Sequence, residues 1–438
     1  MTVSSPLEPA ASTRALLRVG PVRNLLLSSA GVNAGVLLQA TVLGKQVYDI
    51  TGRELDIGLL GLAEFLPAAL LVLVTGSVAD RFNRKVVGAL AILGELACSV
   101  ALALYSFSEP TAVWPLFVIA VLFGTSRAFA APAIRSIPPM VAPEGALPRT
   151  VALYSATWTS AAIVGPAAGG FVYSVEPGLA YVVAATVTGL GLTALLAIRL
   201  PERSVPDDAV PDVSADRATD NDKVSLHSAL EGLRFIRRSP ILLAAISLDL
   251  FAVLFGGAVA LLPAIAEDRL QVGDVAYGWL RAAPGIGAAA MAMLLASRPV
   301  SRLVGRKLLY MVGLFGFMTI VLGVTTNYVI AFVALMVLSG ADMVSVFIRG
   351  TLVPLVTPDD KRGRVTAVEN VFIGASNELG AFESGVAAQA FGTQAAVVGG
   401  GVATVAIVGA WWVFFPALRD VDRFEDLDPK AENASRVT

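Results

Sequence analysis

Gly76-Ser77-Val78-Ala79-Asp80-Arg81-Phe82-Asn83-Arg84-Lys85 closes one long apolar run, 57–78, and leads into the next, 86–107. Each run is long enough to cross a bilayer, which takes about 20 mostly apolar residues. Three basic residues in so short a connection mark the side facing an anionic inner leaflet, where loops retain lysine and arginine. Outward from this stretch the same alternation of apolar runs and polar breaks continues. In the first half the runs are 22–48, 57–78, 86–107, 113–137, 151–175 and 178–200; in the second they are 241–266, 275–296, 308–326, 328–348, 365–391 and 395–415.

Composition agrees. Of 438 residues, 56% are hydrophobic and 15% charged, against roughly 25% charged in soluble domains, which excludes both a string of soluble domains and a disordered chain. The 32 basic and 34 acidic residues nearly cancel, so no basic surface points to nucleic acid. One cysteine, Cys98, and one histidine, His227, leave no intrachain disulfide and no His/Cys metal cluster, and no cofactor is expected. Residues 1–20 have no apolar core followed by a small-residue cleavage site, so the first run is read as its own insertion signal.

With the N-terminus assigned to the cytoplasm, 27 of the 32 basic residues fall on the inner side, Arg135 and Arg349 among them. Lys45, Arg53, Arg269 and Arg281 fall on the outer side and Arg127 within the fourth run. This asymmetry supports twelve spans with both termini cytoplasmic. The expected organisation is a cytoplasmic segment 1–21, a six-helix bundle 22–200, a linker 201–240, a second six-helix bundle 241–416 and a cytoplasmic tail 417–438. Within the linker, 201–223 is rich in Asp, Pro and Ser and reads as flexible. Ser228 and Glu231 then fit a capping box, Leu226, Leu230, Leu233 and Ile236 recur at helical spacing, and Arg234, Arg237 and Arg238 form a basic end. A short helix along the membrane surface follows from that pattern.

The chain also repeats itself. Ile134-Arg135 followed by Pro139, Val141, Pro143 and Arg149 matches Ile348-Arg349 followed by Pro354, Val356, Pro358 and Arg364, and Arg84-Lys85 matches Arg306-Lys307. The offset is about 214 to 222 residues. Two six-span units of the same orientation account for it.

The stretch 76–85 resembles the signature that the major facilitator superfamily carries between its second and third spans, with Asn83 where glycine is usual. Gly165-Pro166-Ala167-Ala168-Gly169-Gly170 is similar to a fifth-span signature of that superfamily's exporters. Ala63 to Pro67, Phe129 to Ala133 and Gly374 to Gly380 with Glu383 resemble the branch that includes the bacterial enterobactin exporter and related drug efflux proteins. The resemblance implies an all-α membrane fold of twelve helices in two bundles, with spans 1, 4, 7 and 10 lining a central cavity. It also implies proton-coupled export of a small molecule without ATP hydrolysis. It makes Gly76, Asp80, Arg81, Arg84 and Lys85 a conformational latch, or simply inner-leaflet anchors; Arg302 stands where the second copy would carry the acid. Gly165, Pro166, Gly169 and Gly170 form a hinge or a close-packed seam.

Seven ionisable residues within the runs stand out as candidates: Glu64, Glu95, Arg127, Asp249, Asp342, Glu378 and Glu383. Each costs roughly 3 kcal/mol or more at the centre of a lipid-facing helix, so each must be paired, hydrated or used. Glu64, Arg127, Asp249, Asp342, Glu378 and Glu383 are candidates for proton coupling or an anionic substrate, with fixed ion pairing as the alternative. Glu95 reads as structural, in a peripheral span. By the repeat offset, Arg127 and Asp342 occupy near-equivalent positions. Asn33, Gln39, Tyr154 and Trp158 are candidate substrate contacts. The expected activity is export of a drug-like compound or siderophore across the cytoplasmic membrane by proton antiport, the chain working as a monomer with substrate, protons and lipid as its partners. A proton symporter or uniporter importing a small solute is the alternative; a membrane enzyme or a non-transporting receptor is remote.

Overall fold

The computed structural model describes residues 13–108, 110–199 and 226–427; the side chains at 72–74, 76, 77, 79, 80, 226–230 and 360 lie outside this description. Every regular element among the described residues is helical. A chain this poor in polar side chains satisfies its backbone most cheaply within each segment, and in lipid it must. The long helices are α1 (Gly20–Thr51), α2 (Glu54–Arg81), α3 (Arg84–Ser106), α4 (Trp114–Arg135), α5 (Leu147–Tyr173) and α6 (Pro177–Leu196). After the linker come α7 (Leu226–Arg238), α8 (Pro240–Phe255), α9 (Asp274–Ser297), α10 (Val304–Val324), α11 (Tyr328–Val356), α12 (Asp359–Phe391) and α13 (Thr393–Phe414).

Nine helices among the described residues are long and apolar enough to cross a membrane: α1, α3, α4, α6, α8 with its continuation to Arg269, α9, α10, α11 and α13. The second, fifth and eleventh expected spans coincide with α2, α5 and α12, which are 28, 27 and 33 residues long but fall outside those nine. In α12 the reason is plain, because acids, bases and asparagines interrupt its apolar face.

Local chemistry sets the helix ends. Asn83 is the N-cap of α3, its side chain accepting from Lys85 N at 3.0 Å and Val86 N at 3.4 Å, a duty a glycine could not perform. Asn327 caps α11 in the same way. Gly392, at φ +85°, takes the left-handed turn between α12 and α13.

The chain divides into two compact units, Met1–Ile50 with Ala63–Ser204, and Thr51–Leu62 with Val205–Thr438. In the first, Leu25, Ile92, Phe123 and Leu195 anchor a buried cluster. Gly165 meets α1 so closely that a Cβ there would lie 3.0 Å from Ala34 O, and one on Gly124 would lie 2.0 Å from Glu64 O on α2. Gln46 ties three helices together, its amide donating to Ser106 Oγ at 2.9 Å and its Oε1 accepting from Tyr181 at 2.7 Å. Lys45 and Asp49 pair nearby, and Asp49 accepts from Tyr173.

In the second unit one cluster centres on Leu242, Leu308 and Ile348 and another on Leu262, Leu280 and Leu335. Here α7 packs on a neighbouring helix. Glu231 pairs with Arg364 at 2.6 Å, Ile236 is buried, and Lys361 sits 4.9 Å from the Phe235 ring, so α7 is docked on the first turns of α12. The capping residue proposed for it, Ser228, lies outside the described side chains.

Candidate functional site

The first unit contains a cavity of about 400 Å³. Helix α1 brings Ser29 and Asn33 to it, α3 brings Glu95, α4 brings Arg127 and Arg135, and α5 brings Tyr154 and Trp158. Three of the four expected substrate contacts, Asn33, Tyr154 and Trp158, therefore share one cavity. Gln39 does not line it; it is buried one turn and a half beyond Asn33, where its Oε1 accepts from Ser99 at 2.5 Å and its Nε2 has no hydrogen-bond partner among the described residues. Asn33 is held by donating to Ser29 O at 2.8 Å and Ser29 Oγ at 3.1 Å, and Ser29 is hydrogen-bonded to Thr157 at 2.6 Å.

Glu95, read as structural from its place in a peripheral span, lies at the wall of this cavity. It is 3% exposed, faces the cavity, and among the described residues its Oε2 has no hydrogen-bond partner. Arg127 is the cation in its field, and the Arg127 guanidinium also lies 5.8 Å from the Phe123 ring. Within this unit, then, the acid that faces Arg127 is Glu95. Arg135, counted on the inner side from the sequence, lines the same cavity.

The second unit holds a buried charge cluster. Asp249 on α8 and Arg349 on α11 form an ion pair, Nη2 to Oδ1 at 2.7 Å, with side chains 9% and 5% exposed. Arg349, counted on the inner side from the sequence, is the cation of this pair, and its Nε reaches Ser345 Oγ at 3.4 Å. Asp342, two turns earlier on α11, shares with Asp249 the wall of a cavity of about 10 Å³, on the scale of one water molecule. Asp342 and Glu369 on α12 both feel the charges of the pair. Two further carboxyl groups thus lie in the field of the Asp249–Arg349 pair. Neither Glu369 nor Arg349 was among the site residues expected from the sequence. The signal for Arg349 was the repeat, which pairs Ile348-Arg349 with Ile134-Arg135. Glu369 carried the same signal as Glu378 and Glu383, an acid inside the run 365–391, but nothing in the sequence sets it beside Asp249.

The other expected residues lie elsewhere. Glu64 sits on α2 where that helix crosses Gly124, and Glu378 lies beside Gly61, its Oε2 3.2 Å from where a Cβ would be. Glu383 is one turn and a half further along α12. Gly165, Pro166, Gly169 and Gly170 are all buried, and α5 runs unbroken through Pro166. In the stretch 76–85, Arg81 and Arg84 are exposed, while Lys85 Nζ donates to Leu196 O at 2.7 Å and Ile198 O at 2.6 Å, closing the end of α6. The side chain of Asp80, like Gly76, lies outside the described set. In the second copy Arg302 meets Asp422 at 3.8 Å, and Asp422 Oδ1 accepts from Leu303 N at 2.9 Å, so the tail supplies the missing acid.

A family model described as transmembrane secretion effector matches residues 11–436. The chain is 25% identical over 424 residues to the multidrug efflux pump Tap of Mycolicibacterium fortuitum, covering 92% of this chain and 97% of that one. It is 24% identical over 221 residues to macrolide efflux protein A of Streptococcus pyogenes, covering 50% and 52%. Among solved structures, a bacterial homolog of the human lysosomal transporter Spinster superposes with a TM-score of 0.67 at 16% identity, covering 94% and 97%. A POT family transporter superposes with a TM-score of 0.70 at 12% identity, covering 94% and 98%.

Proposed function

Because the chain belongs to the transmembrane secretion effector family of major facilitator transporters, we propose that it exports a small molecule across the cytoplasmic membrane by alternating access, driven by inward proton flow. Transport rather than catalysis is the activity of that family, and the efflux names of the relatives support the outward direction. In this reading α1 to α6 and α8 to α13 are the twelve spans of two six-helix bundles, and both termini are cytoplasmic. The molecule acts as a monomer, with protons and lipid as its other partners.

One observation carries the coupling: the buried Asp249–Arg349 pair shares its small cavity with Asp342 and lies within electrostatic reach of Glu369. Three ionised carboxylates and one cation leave excess negative charge in a low-dielectric site, and binding a proton relieves it. Protonation loosens the hold on Arg349 and deprotonation restores it, which gives two charge arrangements that a transport cycle can alternate between. The first unit's cavity, with Asn33, Tyr154 and Trp158, is the substrate side of this scheme.

The test is flux. Full-length protein in liposomes, with the interior of inside-out vesicles made acidic, should accumulate its substrate from a panel that includes macrolides, and Asp342→Asn should abolish the dependence on the gradient at normal expression. A substrate reaching the same final level with and without the gradient would refute proton coupling.

A further inference from the structure

The chemistry around the first unit's cavity is specific enough to name a substrate class. Arg127 and Arg135 both face the space, and among the described residues neither forms an ion pair. Glu95, 97% buried by its 3% exposure, brings to the same wall a carboxyl group whose Oε2 is unpartnered. A guanidinium is the side chain best matched to a carboxylate, since its planar N–H groups fit both oxygens. Glu95 supplies the opposite need: an acceptor that a ligand's N–H or O–H can satisfy, because an unmet buried acceptor is costly. Trp158 and Tyr154 provide flat apolar faces on which a ring can lie.

We propose that this cavity selects amphipathic molecules whose polar end combines an acidic group with a hydrogen-bond donor, the acid held by Arg127 and Arg135, the donor by Glu95, and the apolar body against Trp158. This rests on the export reading, since it names the cargo of the same machinery. A plain cation meets two guanidiniums for one carboxylate and is disfavoured. An acid without a donor engages the arginines but leaves Glu95 unmet.

Three probes with one apolar body separate these cases: naphthylalanine carries acid and ammonium, naphthylpropionate only the acid, naphthylethylamine only the ammonium. Titrated into full-length protein in lipid nanodiscs, with empty nanodiscs subtracted, they should bind in that order of decreasing affinity. Arg127→Gln and Arg135→Gln should each weaken both acids about tenfold, and Glu95→Gln should weaken naphthylalanine alone. Arg127→Lys, which keeps the charge, replaces Arg127→Gln if the latter does not fold, and should weaken both acids less than Arg135→Gln. Tightest binding by the amine, no saturable binding, or unchanged acid affinity in folded arginine variants overturns the proposal. If the probes fail while gradient-driven flux of another solute persists, this inference alone falls; if nothing is transported, the export reading falls.

Discussion

Asp249 and Arg349 show most clearly what a single side chain contributes. Both are nearly inaccessible and only 2.7 Å apart, and removing one partner of a buried pair typically costs about 3–5 kcal/mol because the other charge is left uncompensated. Asp249→Ala should therefore lower unfolding stability in detergent by an amount of that order. The double replacement Asp249→Leu with Arg349→Met should recover most of the loss while leaving flux insensitive to the pH gradient. Denaturant unfolding and vesicle transport on the same three proteins separate the structural role from the coupling role. At the surface, Asn83→Ala removes the cap of α3 and should cost about 1 kcal/mol, measurable in the same unfolding assay. Asp420 offers a pH reading. Hydrogen bonds from Arg419, Nε to Oδ1 at 2.8 Å, hold its carboxyl below the ordinary aspartate range. The contact is thus in place above the ordinary aspartate pKa and is lost as pH falls through the lowered value. Carboxyl chemical shifts should report that lowered midpoint, and Arg419→Gln should move it back up.

Among the helices, close approach governs more than apolar burial does, since lipid is as apolar as the helix surface and gives neighbouring helices little reason to associate. The α2–α4 contact depends on Gly124, where a Cβ would fall 2.0 Å from Glu64 O, whereas a Cβ on Gly189 would come no nearer than 3.9 Å to Leu96. Gly124→Ala should consequently lower the Tm and the yield of folded protein, and Gly189→Ala should leave both unchanged. Helix positions were readable from apolar runs, but their partnerships were not. The pattern of Leu233 and Ile236 marked α7 as amphipathic, yet only the Glu231–Arg364 pair and the contact of Lys361 with Phe235 reveal that α12 is what it packs on. Likewise the second copy of the stretch 76–85 lacks its acid in sequence order, and Asp422, more than a hundred residues later, stands beside Arg302.

Across the whole molecule, a repeated sequence has yielded two different sites. Arg135 and Arg349 occupy matching places in the repeat, but Arg135 borders an open cavity beside Trp158 while Arg349 is locked to Asp249. Arg135→Ala should accordingly reduce substrate affinity with little effect on unfolding, and Arg349→Ala should do the reverse, losing stability first; binding and melting measured in parallel check this. The sequence by itself determined the membrane class, the helix positions, the repeat and the family resemblance. These depend on run length, composition and local motif, quantities that a linear chain carries directly. It also exposed the ionisable residues that break the apolar rule. Only the tertiary structure decided which of them share a site: Glu95 and Arg127 line one cavity, and Asp249, paired with Arg349, lines another with Asp342. Charge pairing acts through space over a few ångströms, and helices distant in sequence reach that separation only once their small residues have packed.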